Sequence, residues 1–233
     1  FGILGETCDG GLAELVAVPA RNLFKKPERL TYEQAAAGSL STLTAWHMLV
    51  TRAQLRAGET VLIHGGASGV GSAAIRIAKH PGATVIATAS TSEKLEAARS
   101  IGADHLINYA EEDFVQGTRA VVGKAGVDVV FEHVGGEVFE RSLRCLGWGG
   151  RLVTCGATTG VDAKVNLRHL FFKGQSILGS TMGSRAEFAE IVRLHADGVL
   201  DPLIDRVLPL EEIAQGHQAL ETRAVIGKVV MNP

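Results

Sequence analysis

The sequence has little cysteine, no dominant charge and no long apolar run. Three cysteines, Cys8, Cys145 and Cys155, lie far apart among 233 residues with no C-x-x-C pair, which excludes a disulfide framework or a structural zinc knuckle built from them. A reducing, cytoplasmic setting is the expectation. Lysine and arginine number 23 against 25 aspartates and glutamates, a net charge of -2 with a pI near 6.5. That balance offers no basic field to nucleic acid or an anionic membrane. No apolar stretch reaches the length of a membrane span, and no basic segment leads into an apolar core as in a signal peptide. Neither nucleic acid nor membrane is expected as a partner. The eight histidines show no H-x-x-x-H or H-E-x-x-H spacing, so no metal site is read from them. Internal repeats and low-complexity tracts are absent as well.

What is present is a regular alternation. Short runs rich in Val and Ile, at 61–63, 84–88, 105–107, 127–131, 151–154 and 176–178, read as strands. Helical segments at 69–80, 92–101, about 111–121 and 137–146 separate the first five. Runs this apolar, joined through helices, predict an α/β fold with a doubly wound parallel six-stranded sheet covered on both faces. Before it, one or two strands are expected within 1–30, a helix starting at Thr31, and a second helix over 41–56 ended by Gly58. After it come a helix at 185–195, a strand at 204–208, a helix at 211–220 and a last strand at 228–231.

The stretch VLIHGGASGVGSAAIRIAK, residues 61–79, organises the rest. Val70, Ala73, Ala74, Ile77 and Ala78 follow one helical face, so the stretch reads as strand, tight turn and helix. Gly66, Gly69 and Gly71 let the backbone bend and let a ligand come close, and the helix they open presents free N–H groups and a positive dipole end suited to phosphate. The spacing is G-x-x-G-x-G rather than the G-x-G-x-x-G of the dinucleotide fingerprint. About twenty residues on, where NAD-binding folds place a carboxylate, the strand ends in Ala89, Ser90, Thr91 and Ser92, followed by Glu93 and Lys94. Hydroxyls and an ammonium there favour a 2'-phosphate and hence NADP(H); a serine-rich helix cap is the competing reading. Glycines at 135, 136, 156 and 160 mark the tips of the fourth and fifth strands, where a cofactor should pass. A serine hydrolase built on His64 and Ser68 fails the G-x-S-x-G test, because Val70 stands where glycine is required.

Together these segments resemble the medium-chain dehydrogenase/reductase superfamily, in its quinone-reductase and zinc-alcohol-dehydrogenase-like branches. The resemblance runs from Gly11, Leu12, Ala13, Glu14, Leu15 and Val16 through Leu43, Thr44, Ala45 and Trp46 to the glycine loop. It continues through Thr91, Ser92, Glu93 and Lys94, then Ile101, Gly102, Ala103 and Asp104 with Ile107, Asn108 and Tyr109. Glu132, His133, Val134 and Gly135, then Gly227, Lys228, Val229 and Val230, complete it.

The resemblance implies roles. Thr44 approaches the nicotinamide, and Gly66, Ser68, Gly69, Val70 and Gly71 hold the pyrophosphate. Ser90, Lys94 and Tyr109, with Arg223, meet the 2'-phosphate and adenosine. Val134, Gly156, Ala157 and Thr158 line the nicotinamide half, while Ser180 and Thr181 bond its carboxamide. Leu40 stands where zinc alcohol dehydrogenases carry a ligating cysteine, so zinc is expected only in a longer form of the protein.

The resemblance also divides the chain. Residues 1–30 match the end of a β-rich, GroES-like catalytic domain, 31–203 an NADP(H)-binding domain with its leading helices, and 204–233 the segment returning to the catalytic domain. With Phe1 as its first residue, the chain reads as a piece lacking most of that domain. The implied function is hydride transfer between NADP(H) and a carbonyl or alcohol, a quinone or an activated alkene, by a chain poorly active alone. A non-catalytic nucleotide-binding fragment or sensor, and a zinc-dependent alcohol dehydrogenase with ligands elsewhere, are the alternatives. The edge strand at 176–178 (Ser176, Ile177, Leu178) is expected to pair across a two-fold axis in a homodimer.

Overall fold

A computed structural model describes residues 2–233; Phe1, at the head of the expected first strands, lies outside the described residues. The chain after residue 30 opens with α1 (Tyr32–Trp46), whose N-cap Thr31 accepts from the Gln34 amide while the Gln34 side chain accepts from the Thr31 amide. This reciprocal box satisfies two amides that a helix start leaves unpaired. Then follow β1 (Thr60–Ile63), α2 (Gly69–Lys79), β2 (Thr84–Ala89), α3 (Ser92–Ser100) and β3 (His105–Asn108). The second half runs α4 (Phe114–Val122), β4 (Val127–Glu132), α5 (Gly136–Ser142), β5 (Leu146–Thr154), α6 (Leu167–Phe172), β6 (Ser176–Gly179) and α7 (Arg185–Ala196). The tail adds β7 (Ile204–Pro209), α8 (Ile213–Glu221) and β8 (Lys228–Asn232).

The first six strands form one parallel sheet in the order β3-β2-β1-β4-β5-β6. Side chains alternate across it with the period of two that a strand imposes. Val61, Ile63, Val85, Ala87, Val129 and Phe131 pack on one face under α1, α2 and α7. Leu62, Ile86, Val130 and Leu152 pack on the other with Phe114, Val115 and Leu143. Both faces are thus covered, which is why these strands read as unbroken apolar runs. β7 and β8 form a separate two-stranded parallel sheet.

Two expectations need correction. Residues 2–30 contain no strand: they hold an isolated bridge between Leu4 and Cys8 and one 3-10 turn, Ala20–Asn22. Leu12, Leu15, Val16 and Leu23 are exposed there, and β-branched residues make no ladder without a neighbouring strand to pair with. The two expected helices before Gly58 are one. α1 passes through Gly38 into a π-helical turn, His47–Arg52, that ends at Ala53. Gly38 is a contact point rather than a breaker, since a Cβ there would lie 2.9 Å from the His195 ring. The other expected strands and helices fall at the expected places, with β5 starting earlier, at Leu146, and α5 ending at Ser142, while α6 had no counterpart among the expected helices.

Candidate cofactor-binding site

The sheet order reverses between β1 and β4, and beyond the carboxyl ends of these strands opens a cleft of about 680 Å³. That volume is in the range of cofactor and small-molecule sites, and its place is the switch point of a doubly wound sheet.

The floor of the cleft is the turn from β1 into α2. Ser68 caps α2, its Oγ accepting from Gly71 N at 3.0 Å. Gly69 and Val70 open α2 and line the cleft, so the helix start, with its amides and positive dipole end, borders the cleft. Close approach sets the glycines, strictly at Gly71, where the neighbour is backbone, and less so at Gly69, where it is a lysine side chain. A Cβ on Gly71 would sit 2.2 Å from the Gly65 carbonyl oxygen, and one on Gly69 would sit 2.5 Å from Lys228 Cδ. Gly66 meets Ala87, Ile75 and Ala98 instead, so it packs α2 and α3 on the sheet and does not line the cleft.

At one end of the cleft lies the tip of β2. Thr91, not a serine, caps α3, and Ser90 lines the cleft. Lys94 lies one turn into α3, its Nζ donating to the carbonyl of Arg223 at 2.6 Å. Tyr109, after β3, and the Arg223 side chain complete this end. Among the described residues no carboxylate lines the cleft.

The other end is built on β4 and β5. Glu132, fully buried at the end of β4, accepts through Oε1 from the amides of Val134 and Gly135, both at 2.6 Å, and through Oε2 from Thr154 Oγ1 at 2.8 Å. Three donors offset the cost of enclosing this carboxylate and fix the Val134 turn against β5. Thr158 Oγ1 donates to the His133 carbonyl at 2.9 Å, and His133 Nε2 bonds the His64 carbonyl at 2.9 Å. Thr44, on α1, and Cys155, at the tip of β5, close this end. Burial, with the Glu132 carboxylate nearby, pushes the Cys155 thiol up to about 11, so it is an unreactive wall at neutral pH.

Of the residues anticipated from the sequence, Thr44, Ser68, Gly69, Val70, Ser90, Lys94, Tyr109, Val134 and Thr158 border the one cleft. Gly66, Gly71, Gly156, Ala157, Ser180 and Thr181 do not. Gly156 packs under the His133 carbonyl, and Ala157 lies against Gly135. Ser180 and Thr181 follow β6, with Ser180 N bonded to the Thr154 carbonyl at 2.9 Å. Sequence reasoning gave no role to Glu132, His133, Cys155 or Lys228. A carboxylate directly after the apolar run Val129, Val130 and Phe131 was the available signal for Glu132.

The hydrolase reading has no geometric support. His64 is buried with its ring against Thr88 Oγ1 and Ser142 Oγ, while the Ser68 hydroxyl is engaged in capping α2. Burial foremost, then the neighbouring His133 charge, lowers the pKa of His64 to about 3. Leu40 presents an apolar side chain to the cleft, and among the described residues no three His, Cys, Asp or Glu side chains group as a metal site.

A crevice at the switch point of a doubly wound sheet, floored by glycines at a helix N-terminus, defines the dinucleotide-binding class of α/β proteins. Comparison with known proteins narrows the class. The family model for zinc-binding dehydrogenases matches residues 69–197. A 2-haloacrylate reductase from a Burkholderia species is 34% identical over 227 residues, covering 92% of this chain and 68% of that protein. The solved structure of an NAD-dependent alcohol dehydrogenase superposes with a TM-score of 0.94 at 43% identity, over 100% of this chain and 68% of that one. A 2-octenoyl-CoA carboxylase reductase, solved with NADP and 2-octenoyl-CoA, gives 0.89 at 37% identity, over 97% of this chain and 55% of that one. The chain belongs to the medium-chain dehydrogenase/reductase superfamily of oxidoreductases, and it spans from about half to two thirds of the length of these relatives. None of its helices is long and apolar enough to cross a membrane, among the described residues.

Proposed function

We propose that this chain is the cofactor-binding portion of an NADP(H)-dependent oxidoreductase. The observation that carries the reading is the end of the cleft at β2, where Ser90, Lys94, Tyr109 and Arg223 converge without a carboxylate among the described residues. Two cations and a hydroxyl suit a 2'-phosphate, whereas NAD(H) would leave them unmatched. The 2-octenoyl-CoA carboxylase reductase solved with NADP supports this choice; the relative described as NAD-dependent makes cofactor preference the point to measure.

The amides of Gly69 and Val70 would take the pyrophosphate, and Thr44, Val134 and Thr158 would flank the nicotinamide. When bound, NADP(H) supplies or accepts the hydride at the nicotinamide C4, with a carbonyl or alcohol, quinone or activated alkene as the partner substrate. The protein's part is to orient that ring and keep water from it. Glu132 serves this by holding the Val134 turn, and the half-buried Cys155 by walling the same end.

We further assign residues 1–30 and 204–233 to a catalytic domain supplied by a longer form, and 31–203 to the cofactor domain. The chain alone then binds cofactor but turns over substrate poorly. Near β6, at the sheet edge, Trp148 (68% exposed) and Phe172 (65% exposed) lie against each other with ring centroids 5.3 Å apart and planes tilted by 51°. This apolar patch fits a homodimer that pairs β6 with its copy. Calorimetric titration with NADPH and NADH tests the cofactor reading.

A further inference from the structure

Away from the cleft, one buried titratable side chain takes no part in holding a cofactor. His195, in the last turn of α7, is 5% exposed, and neither of its ring nitrogens has a hydrogen-bond partner among the described residues. The ring lies against Gly38 of α1, where a Cβ would come 3.0 Å from Nε2, and Pro202 lies beside the same glycine. Enclosing an unpaired polar group costs free energy, and enclosing it charged costs far more. The place suits the neutral imidazole and not the imidazolium.

The surroundings make a positive charge harder still to hold. Residues 24–30 dock on α7 next to this ring. Phe24 meets Phe188 edge to face, with centroids 4.9 Å apart, while Arg29 donates through Nε to the His195 carbonyl at 3.3 Å and pairs with Asp201. His195 shares a cavity of about 100 Å³ with Lys25, Lys26, Pro27 and Leu30 of this segment. Lys26 Nζ is fixed there by the carbonyls of Pro27 and Leu30. From α1 the cavity receives only Ala35 and Ser39, neither charged. On α7 itself, Arg193 is engaged by Glu190 and Asp197 on the exposed side, and Arg76 of α2 lies beyond Asp201. Lys25, Lys26 and Arg29 thus stand against one carboxylate, Asp201, which Arg29 already holds. Burial foremost, opposed by Asp201 and helped by Arg29, keeps the His195 pKa below its ordinary value.

We propose that His195 is a proton-operated latch for residues 24–30: as a neutral ring it lets the segment close on α1 and α7, and once protonated it reaches water only when the segment lifts. Histidine is the side chain whose charge changes in the range where such a latch is useful. The docked segment is fully favoured above pH 6.5 and loses ground as pH falls below it, because the lifted state takes up the proton more readily. Neither hydrophobic cluster on the sheet includes Phe24 or Leu30, so the segment can open while the sheet stays packed. The latch controls how residues 2–30 attach to the rest of the chain, and it stands whether or not the cleft takes NADP(H).

Hydrogen exchange read by NMR on the full chain tests this at the Leu30 amide, which bonds the Pro27 carbonyl at 3.2 Å. Rates are corrected for the intrinsic pH dependence of exchange and compared between the unmodified chain and His195→Leu. A ring that titrates near 6.5 when lifted and stays neutral when enclosed shifts the opening equilibrium about tenfold between pH 7.5 and 5.5. Protection of Leu30 is therefore expected to fall about tenfold in the unmodified chain and less than about twofold in the variant. Amides of β1 are expected to stay better protected than Leu30 at both pH values. An equal fall in the two proteins, no fall in either, or Leu30 protected as strongly as β1 overturns the latch. If His195→Leu fails to fold, His195→Gln, polar but not titrating, takes its place. NMR titration of the His195 ring in the unmodified chain needs no variant: an apparent pKa below about 6.5 is expected, and one at or above it overturns the proposal.

Discussion

Lys94 Nζ donates to the carbonyl oxygen of Arg223 at 2.6 Å, joining the first turn of α3 to the segment that follows α8. Arg223 pays for its place, since it holds φ +56, where a non-glycine residue costs about 1 kcal/mol or more. Glycine would end α8 more cheaply. The arginine keeps a guanidinium at the cleft beside Ser90 and Tyr109. Arg223→Gly should therefore raise the melting temperature slightly or leave it unchanged, while weakening NADPH about tenfold and NADH little. Thermal melts and calorimetry on the same sample check both halves. A variant that loses stability and keeps its NADPH affinity would contradict the role.

The glycine turn gives a steric prediction. At Gly71 an added methyl meets the Gly65 carbonyl at 2.2 Å, a backbone atom that cannot rotate away. Gly71→Ala should cost about 1–3 kcal/mol of stability, as overpacking does, and abolish dinucleotide binding by displacing the Gly69 and Val70 amides. Gly11→Ala, with nothing within 4 Å, should be within about 0.5 kcal/mol of wild type. Urea melts of both variants decide it.

His64 makes stability depend on pH. Its folded pKa, about 3, lies below the ordinary 6.5, so the unfolded chain binds the proton more readily. The contribution is full above pH 6.5 and is lost as pH falls from there toward 3. Burial lowers His195 in the same direction, against Asp201. Between pH 7.5 and 5 the His64 share is about 2 kcal/mol at 1.36 kcal/mol per unit. His64→Gln should be less stable at pH 7.5 yet lose less on going to pH 5. Denaturant melts at the two pH values measure this, and equal losses for both proteins would count against it.

The edge strand yields an assembly prediction. If β6 pairs with its copy, sedimentation at micromolar concentration should show a dimer, and Phe172→Glu should shift it to monomer without lowering the melting temperature by more than a few degrees. A wild-type monomer would remove the dimer from the account.

How far the sequence was legible depended on whether local chemistry and tertiary structure agreed. The six-stranded sheet was readable because its central strands are buried on both faces and so carry their own apolar signature. The Ser68 to Gly71 turn was readable because capping and close approach leave fixed residue types at fixed spacing. Residues 2–30 misled, since Leu15 and Val16 have strand character but no partner strand. The second helix expected from residue 41 continues the first without a break, and Gly38 between them makes room for the ring of His195, a residue far along the chain. The parts of the cleft that the sequence left blank share that origin. Glu132 bonds Thr154 across strands, and Lys228 reaches Gly69 from the far end of the chain; no local pattern announces either contact.

The central claim is that this cleft holds NADP(H) and reads its 2'-phosphate through Lys94, Ser90 and Arg223. The most direct measurement is calorimetric titration of the 233-residue chain with NADPH and NADH under one buffer and salt. The account predicts saturable one-site binding of NADPH at least about tenfold tighter than NADH, in keeping with charge-assisted hydrogen bonds to the phosphate, with the difference shrinking in Lys94→Ala. Equal or tighter binding of NADH would contradict it.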